Sequence, residues 1–179
     1  MMRIKAVVLL ATLCVISSCT NSTDLALDAF YSTGAGIAKG TLIMKADSTE
    51  KRISEILNAE MILSDLGTGK SVSNIINGAV QNLLLVKTNT GRSILIGGDQ
   101  PIKTSMGWVP VGEIKIGTIA ECIDGQEDIV QIHEVSYFDQ IYNLEFDGET
   151  GIYGNGFLIG DYGMMRRMRE ENEQTYFNP

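Results

Sequence analysis

Along most of this chain, short apolar runs alternate with clusters of Gly, Asp, Asn and Ser, which is the punctuation of strands and tight turns rather than of long helices. Gly40-Thr41-Leu42-Ile43-Met44 reads as a strand that stops at the turn Ala46-Asp47-Ser48. Ser48 to Lys51 then leads into Ile53, Ile56 and Leu57 at helical spacing, so a helix of one or two turns is expected there. Met61-Ile62-Leu63 follows, then a stretch rich in Ser, Gly and Asn as far as Asn74, and apolar and small residues from Ile75 to Val86. Further strands are expected at Leu83 to Thr88, Ser93 to Ile96, Trp108 to Val111, Thr118 to Ile123, Ile129 to Tyr137, Ile141 to Phe146 and Gly156 to Ile159. Asn89-Thr90-Gly91, Asp124-Gly125 and Asp147-Gly148 supply turns between them. Many short strands with frequent Gly and Asp turns predict a mostly β domain, and no internal repeat stands out.

The two ends of the chain break this pattern. Met164 to Gln174, MMRRMREENEQ, has long side chains of high helix propensity and predicts a solvated C-terminal helix lightly packed on the domain. At the other end Arg3 and Lys5 precede an apolar run from Ala6 to Ile16, the charged and apolar regions of an export signal. The run is about half of the ~20 residues a spanning helix needs, so cleavage is expected rather than a permanent span. Ile16-Ser17-Ser18-Cys19 resembles the lipobox of bacterial lipoproteins, which implies acylation at Cys19. Thr20 after that cysteine, rather than Asp, resembles an outer-membrane sorting signal. Residues 21–31 read as a polar tether.

Charge and cysteine usage narrow the chemistry. The formal net charge of −8 deepens to about −10 once Arg3 and Lys5 leave with the signal, which disfavours nucleic acid and other polyanions as partners. Of the 3 cysteines, Cys14 leaves and Cys19 carries lipid, so no disulfide can form within the mature chain and Cys122 reads as a small core residue. With 1 histidine, His133, the ordinary zinc-ligand sets are out of reach, and no cofactor or metal is expected. Trp108, the only tryptophan, stands in an alternating strand and is expected to be largely buried.

Taken in order, the segments resemble the Hint domain shared by hedgehog autoprocessing regions and inteins, over Gly36 to Asp161. Gly40-Thr41-Leu42-Ile43 is similar to the first block, and Lys51-Arg52-Ile53-Ser54-Glu55-Ile56 to the stretch after its first turn. Gly91 to Pro101, GRSILIGGDQP, resembles the second block, in which a strand ends in Thr-x-x-His-Pro. Gly107-Trp108-Val109-Pro110-Val111-Gly112-Glu113-Ile114-Lys115-Ile116-Gly117 is very like the family's segment of Gly-Trp-Val, a small residue, Leu, a basic residue and Gly. Ile141 to Phe146 and Tyr153 to Ile159 are similar to the last two blocks.

The resemblance implies a pseudo-twofold, horseshoe-like β fold and, in an active member, peptide-bond rearrangement by acyl shift. That chemistry needs a Cys or Ser at the head of the first block, a Thr and His in the second, and a terminal His-Asn pair, with a deprotonatable nucleophile and a positioned proton donor. Each position departs here. The nucleophile aligns with Gly36, the threonine with Gly97, the histidine with Gln100, and the terminal pair with Gly160 and Asp161. Glycine has no attacking atom and a carboxamide does not exchange protons near neutral pH. No catalytic residues are therefore expected, with Asp99, Gln100 and Asp161 as a residual site.

The expectation is a signal at residues 1–18, anchor and tether at 19–35, a Hint-like domain at 36–161, and a charged, helical tail at 162–179. It would be a lipid-anchored binding or structural module outside the cytoplasm, on the outer membrane or cell surface rather than the inner membrane, with membrane and an unidentified protein as partners. Two alternatives stand beside it. One is residual autoprocessing through a displaced nucleophile such as Ser32 or Thr33, with Asp99 as acid or base. The other is a small β-fold surface lipoprotein of phage or immunity type.

Overall fold

The computed structural model describes residues 34–79 and 82–177. The residues expected to form an export signal, and Cys19, Ser32 and Thr33, lie outside the described residues. Fourteen strands form one continuous antiparallel network: β1 Ile37–Ala38, β2 Leu42–Met44, β3 Glu50–Arg52, β4 Met61–Leu63, β5 Gly69–Ala79, β6 Asn82–Thr88 and β7 Ser93–Ile96 in the first part of the chain. The second part adds β8 Pro101–Thr104, β9 Gly107–Pro110, β10 Ile119–Cys122, β11 Gly125–Ser136, β12 Gln140–Phe146, β13 Gly151–Gly154 and β14 Phe157–Gly160. A single helix, α1 Tyr162–Phe177, closes the described chain. The fold is mostly β, as the strand and turn pattern predicts.

The sheet path runs β3-β2-β13-β14-β8-β10-β11-β6-β7-β1-β12-β5-β4, and isolated bridges Lys45↔Ile62 and Ser64↔Ile152 bring its two ends back together. Inside this curl sits one large apolar cluster with Ile37, Ile43, Ile53, Ile62, Ile94, Ile102, Ile129 and Phe157 at or near zero exposure. β-branched isoleucine dominates because it fits the pleated inner face with little rotamer freedom left to lose.

Although no repeat stands out in the sequence, the structure contains one. Residues 41–72 and 100–129 follow the same path: β2 and β3 make a hairpin ending in a short 3-10 turn at Ile53–Glu55, and β8 and β9 one ending at Val111–Glu113. The Ile53 N–H donates to the Thr41 carbonyl at 2.8 Å, and the Val111 N–H to that of Gln100 at 3.0 Å. The Ala59 N–H donates to the Val72 carbonyl, and the Gly117 N–H to that of Ile129. Ala59 and Gly117 both hold positive φ, 65° and 91°. Thr41 and Gln100 are thus equivalent corners of a pseudo-twofold.

Three local expectations need correction. Where a helix of one or two turns was expected after Ser48, Glu50–Arg52 is a strand and only Ile53–Glu55 turns, because Ile53 and Ile56 both point into the core from one tight turn. The later part of the Ser- and Asn-rich stretch, to which the sequence assigned no element, belongs to β5 from Gly69, whose polar side chains face solvent while Val72 and Ile76 face inward. Trp108 is only partly buried, stacked under the Lys103 ammonium at 5.2 Å in a cation–π contact. α1 is also less lightly packed than its charge suggests, since Tyr162, Met164 and Met165 are buried.

Candidate functional site

The site is built where three stretches of chain meet: the strand head at Gly36, the loop from Gly97 to Gln100 that leads into β8, and the end of β14 at Gly160 and Asp161. Pairing of β1 with β7 places Ile37 opposite Ile96, so the residues just before β1 lie against the residues just after β7. The Gly97 N–H donates to the Gly36 carbonyl at 2.7 Å. A Cβ on Gly97 would overlap the Gly34 carbonyl oxygen, so this close approach requires glycine. Gly36 holds φ at 102°, a backbone conformation that also favours glycine over any side-chain-bearing residue.

Gln100, 1% exposed, joins the three stretches. Its Oε1 accepts from the Gly36 N–H at 3.0 Å and from Asn143 Nδ2 at 2.8 Å, and its Nε2 donates to the Gly160 carbonyl at 2.5 Å. A main-chain N–H can only donate and a carbonyl can only accept, so the orientation of the carboxamide is fixed at both ends. Asn143 is oriented in turn, its Oδ1 accepting from the Leu144 N–H at 2.9 Å. A carboxamide supplies acceptor and donor together at every pH, whereas an imidazolium would turn a donor toward the Gly36 N–H.

Asp161 caps the other side of the site. Its Oδ1 accepts from the Met164 N–H at 2.9 Å, the N-cap arrangement that starts α1, while Oδ2 is buried with no hydrogen-bond partner among the described residues. Burial pushes the Asp161 carboxyl up to about 6, assisted by the nearby charges of Glu149 and Glu145 and opposed by the hydrogen bond from Met164.

The positions singled out in the sequence as Gly36, Gly97, Gln100, Gly160 and Asp161 therefore converge. Asp99 stands in the same loop but lines a cavity on its outer side, together with Met165, Met168 and Arg169. His133 lies away from them, exposed in β11 with its Nδ1 3.0 Å from Gln131 Nε2. Cys122 is buried under β14, and burial pushes its thiol up to about 12, which makes it inert at neutral pH. Among the described residues no group of His, Cys, Asp and Glu is placed to hold a metal ion, and no helix is long and apolar enough to cross a membrane. Asn143 was missed at the sequence level. The available signal was an amide at an inward-facing position of an otherwise apolar strand, flanked by buried Ile141 and Leu144.

Ala35 and Gly36 are both buried, and residue 36 carries no side-chain atom beside the peptide bond that joins them.

The same architecture is found in solved inteins. The gp41-1 intein superposes with a TM-score of 0.63 at 20% identity, covering 70% of this chain and 98% of that one. The DnaB intein from Synechocystis sp. PCC 6803 gives 0.64 at 17% identity, covering 71% and 98%. Variant M86 of the Ssp DnaB mini-intein gives 0.64 at 16%, covering 72% and 94%. These likenesses establish a Hint-like fold. No protein-family model and no curated protein sequence matches the chain.

Proposed function

We propose that this domain is a Hint fold retained for its shape, a non-catalytic module that holds its two flanking segments side by side, carried as a bacterial lipoprotein anchored through Cys19. The observation that carries the reading is the Gln100 carboxamide. In the place of a proton-exchanging histidine it bonds the strand head at Gly36 to the strand end at Gly160. Each of the groups that an acyl shift requires is replaced, and what replaces them completes a hydrogen-bonded junction. Fold alone does not decide activity, so the argument rests on these atoms.

The test is mass spectrometry of the purified chain incubated for hours with added thiol or hydroxylamine. One constant mass is expected, because there is no thioester or ester to intercept. A thiol-sensitive break near Ser32, Thr33 or Gly36 would overturn the reading. For the anchor, Cys19→Ser should abolish incorporation of labelled fatty acid, and continued labelling of that variant would remove the lipoprotein reading.

Residual self-cleavage draws on one observation, the raised carboxyl of Asp161 directly before Tyr162. That reading calls for hydrolysis of the bond between them at about pH 5, with water as co-reactant and a fragment beginning at Tyr162 as product. The inert-module reading gives an intact chain under the same conditions.

A further inference from the structure

α1 packs on an apolar cluster of its own, apart from the isoleucine-filled interior. Tyr162 and Met165 lie over Ala38, Ile76, Leu83 and Ile141, which belong to β1, β5, β6 and β12. Glu170 to Gln174 are exposed, so the helix is held through its first two turns.

Those turns start from Asp161. Its N–H donates to the Thr150 carbonyl at 3.0 Å, its carbonyl accepts from the Met165 N–H at 3.1 Å, and its Oδ1 accepts from the Met164 N–H at 2.9 Å. The residue is fully buried, and Oδ2 has no hydrogen-bond partner among the described residues. A protonated carboxyl brings no charge into this place, whereas an ionised one brings a charge that neither water nor a donor to Oδ2 offsets.

The surrounding charges do not offset it either. Glu145 on β12 and Glu149 in the turn after it add negative potential. Gly160 and Pro101, on the strand side, are uncharged. On α1 the cations are already engaged: Arg166 with Glu170, Arg167 with Glu149 and Glu171, and Arg169 with Glu173. Burial raises the Tyr162 phenol, which stays neutral.

We propose that α1 is a proton-controlled strap: with Asp161 protonated it lies over Ala38, Ile76, Leu83 and Ile141, and with Asp161 ionised its first turns lift and uncover that apolar face. Lifting admits water to Oδ2, because Asp161 itself begins the helix. Docked, the carboxyl is pushed up to about 6; released, it returns to the ordinary carboxylate range. Docking is therefore strongest below about pH 4 and weakens as pH rises through about 6. The Glu149–Arg167 pair acts with the opposite sign, since deprotonating Glu149 ties the helix down. The inference does not depend on lipidation at Cys19.

The test is peroxide oxidation of the full chain at pH 4.5 and 7.5, with sulfoxides assigned residue by residue. Met165, 3% exposed, reports release of the strap, and Met106, 81% exposed, is the reference within the same molecule. The Met165 rate relative to Met106 should rise roughly tenfold from pH 4.5 to 7.5, the factor of one pKa unit. Asp161→Asn keeps the cap acceptor without the charge and should hold that ratio low at both pH values. Glu149→Gln should preserve the rise. A ratio independent of pH in the wild type, an undiminished rise in Asp161→Asn, or a rise abolished by Glu149→Gln would each overturn the proposal. The wild-type comparison stands even if a variant fails to fold.

Discussion

The two corners of the pseudo-twofold, Thr41 and Gln100, receive the same main-chain hydrogen bond from the head of the same 3-10 turn, yet only one of them forms a site. Ala38 precedes Thr41 where Gly97 precedes Gln100, and a Cβ is accommodated at the first position and excluded at the second. The difference lies in what passes nearby. At the Gln100 corner the chain both begins and leaves the domain, and the longer side chain reaches both strands. Repetition of the fold thus supplies two similar frames, and the chain's path makes one of them a junction.

The largest test of this asymmetry is Gly97→Ala. Its Cβ has no room against Gly34 O, so the strand head must move, and a loss of more than about 4 kcal/mol is expected in urea unfolding. Ala38→Gly at the matching position should cost about 1 kcal/mol or less. Equal effects would mean that the two corners are not distinguished by the crossing chain. The same geometry bears on restoring chemistry: Gly36→Cys with Gln100→His would meet an unfavourable positive φ at residue 36, and adding Gly97→Thr would meet the Gly34 carbonyl.

Next in size, Gln100→Ala strands the Gly36 N–H, the Gly160 carbonyl and the Asn143 amide, each a buried group worth about 1–3 kcal/mol when left unpaired. A total of about 3–5 kcal/mol is expected, against about 1 kcal/mol for Thr41→Ala. Comparable midpoints for the two variants would show that the carboxamide is dispensable.

Asp161 sharpens the comparison through pH. Its folded-state pKa is raised, to about 6, so the fold binds the proton more tightly than the unfolded chain does. That stabilisation is fully present below about pH 4 and is lost as pH rises through about 6. Asp161→Asn retains an N-cap acceptor without the buried charge, and should raise stability at pH 8 by about 1–2 kcal/mol while flattening the slope between pH 4 and 6. A slope unchanged in the variant would assign the dependence to another group.

The smallest expected effect concerns Ala59 and Gly117, which hold positive φ at matching positions. Ala59→Gly should gain about 0.5 kcal/mol, the relief of a strained alanine less the entropy of a freer unfolded chain. A loss would indicate that the Ala59 methyl packs favourably enough to outweigh its backbone.

Much of the fold was legible because turn chemistry and apolar runs act locally: Asn89-Thr90-Gly91 and Asp147-Gly148 fall between strands where expected, and Asp124 turns the chain into β11 at Gly125. Block order then placed Gly36, Gly97, Gln100, Gly160 and Asp161 together, although they are far apart in sequence. What remained hidden depends on tertiary context. β5 carried no strand signal because its outer face is solvent and only Val72, Ile76 and Gly78 turn inward. Trp108 looked like core, but it is only partly buried, its ring between Gly151 and the Lys103 ammonium, and its structural counterpart in the first hairpin is Glu50, an exposed position. The repeat itself escaped notice because only hydrogen-bond geometry is shared; Ile53-Ser54-Glu55-Ile56 and Val111-Gly112-Glu113-Ile114 match in burial more than in letters.

One side chain bonding both the head of the first strand and the end of the last also determines how the molecule answers to force. Tension applied through the segment before Gly34 and the helix after Asp161 converges on Gln100 before it reaches the sheet. The remaining strands lie off that line, so the junction should part as a separate, early event at low force while the isoleucine-filled interior stays folded.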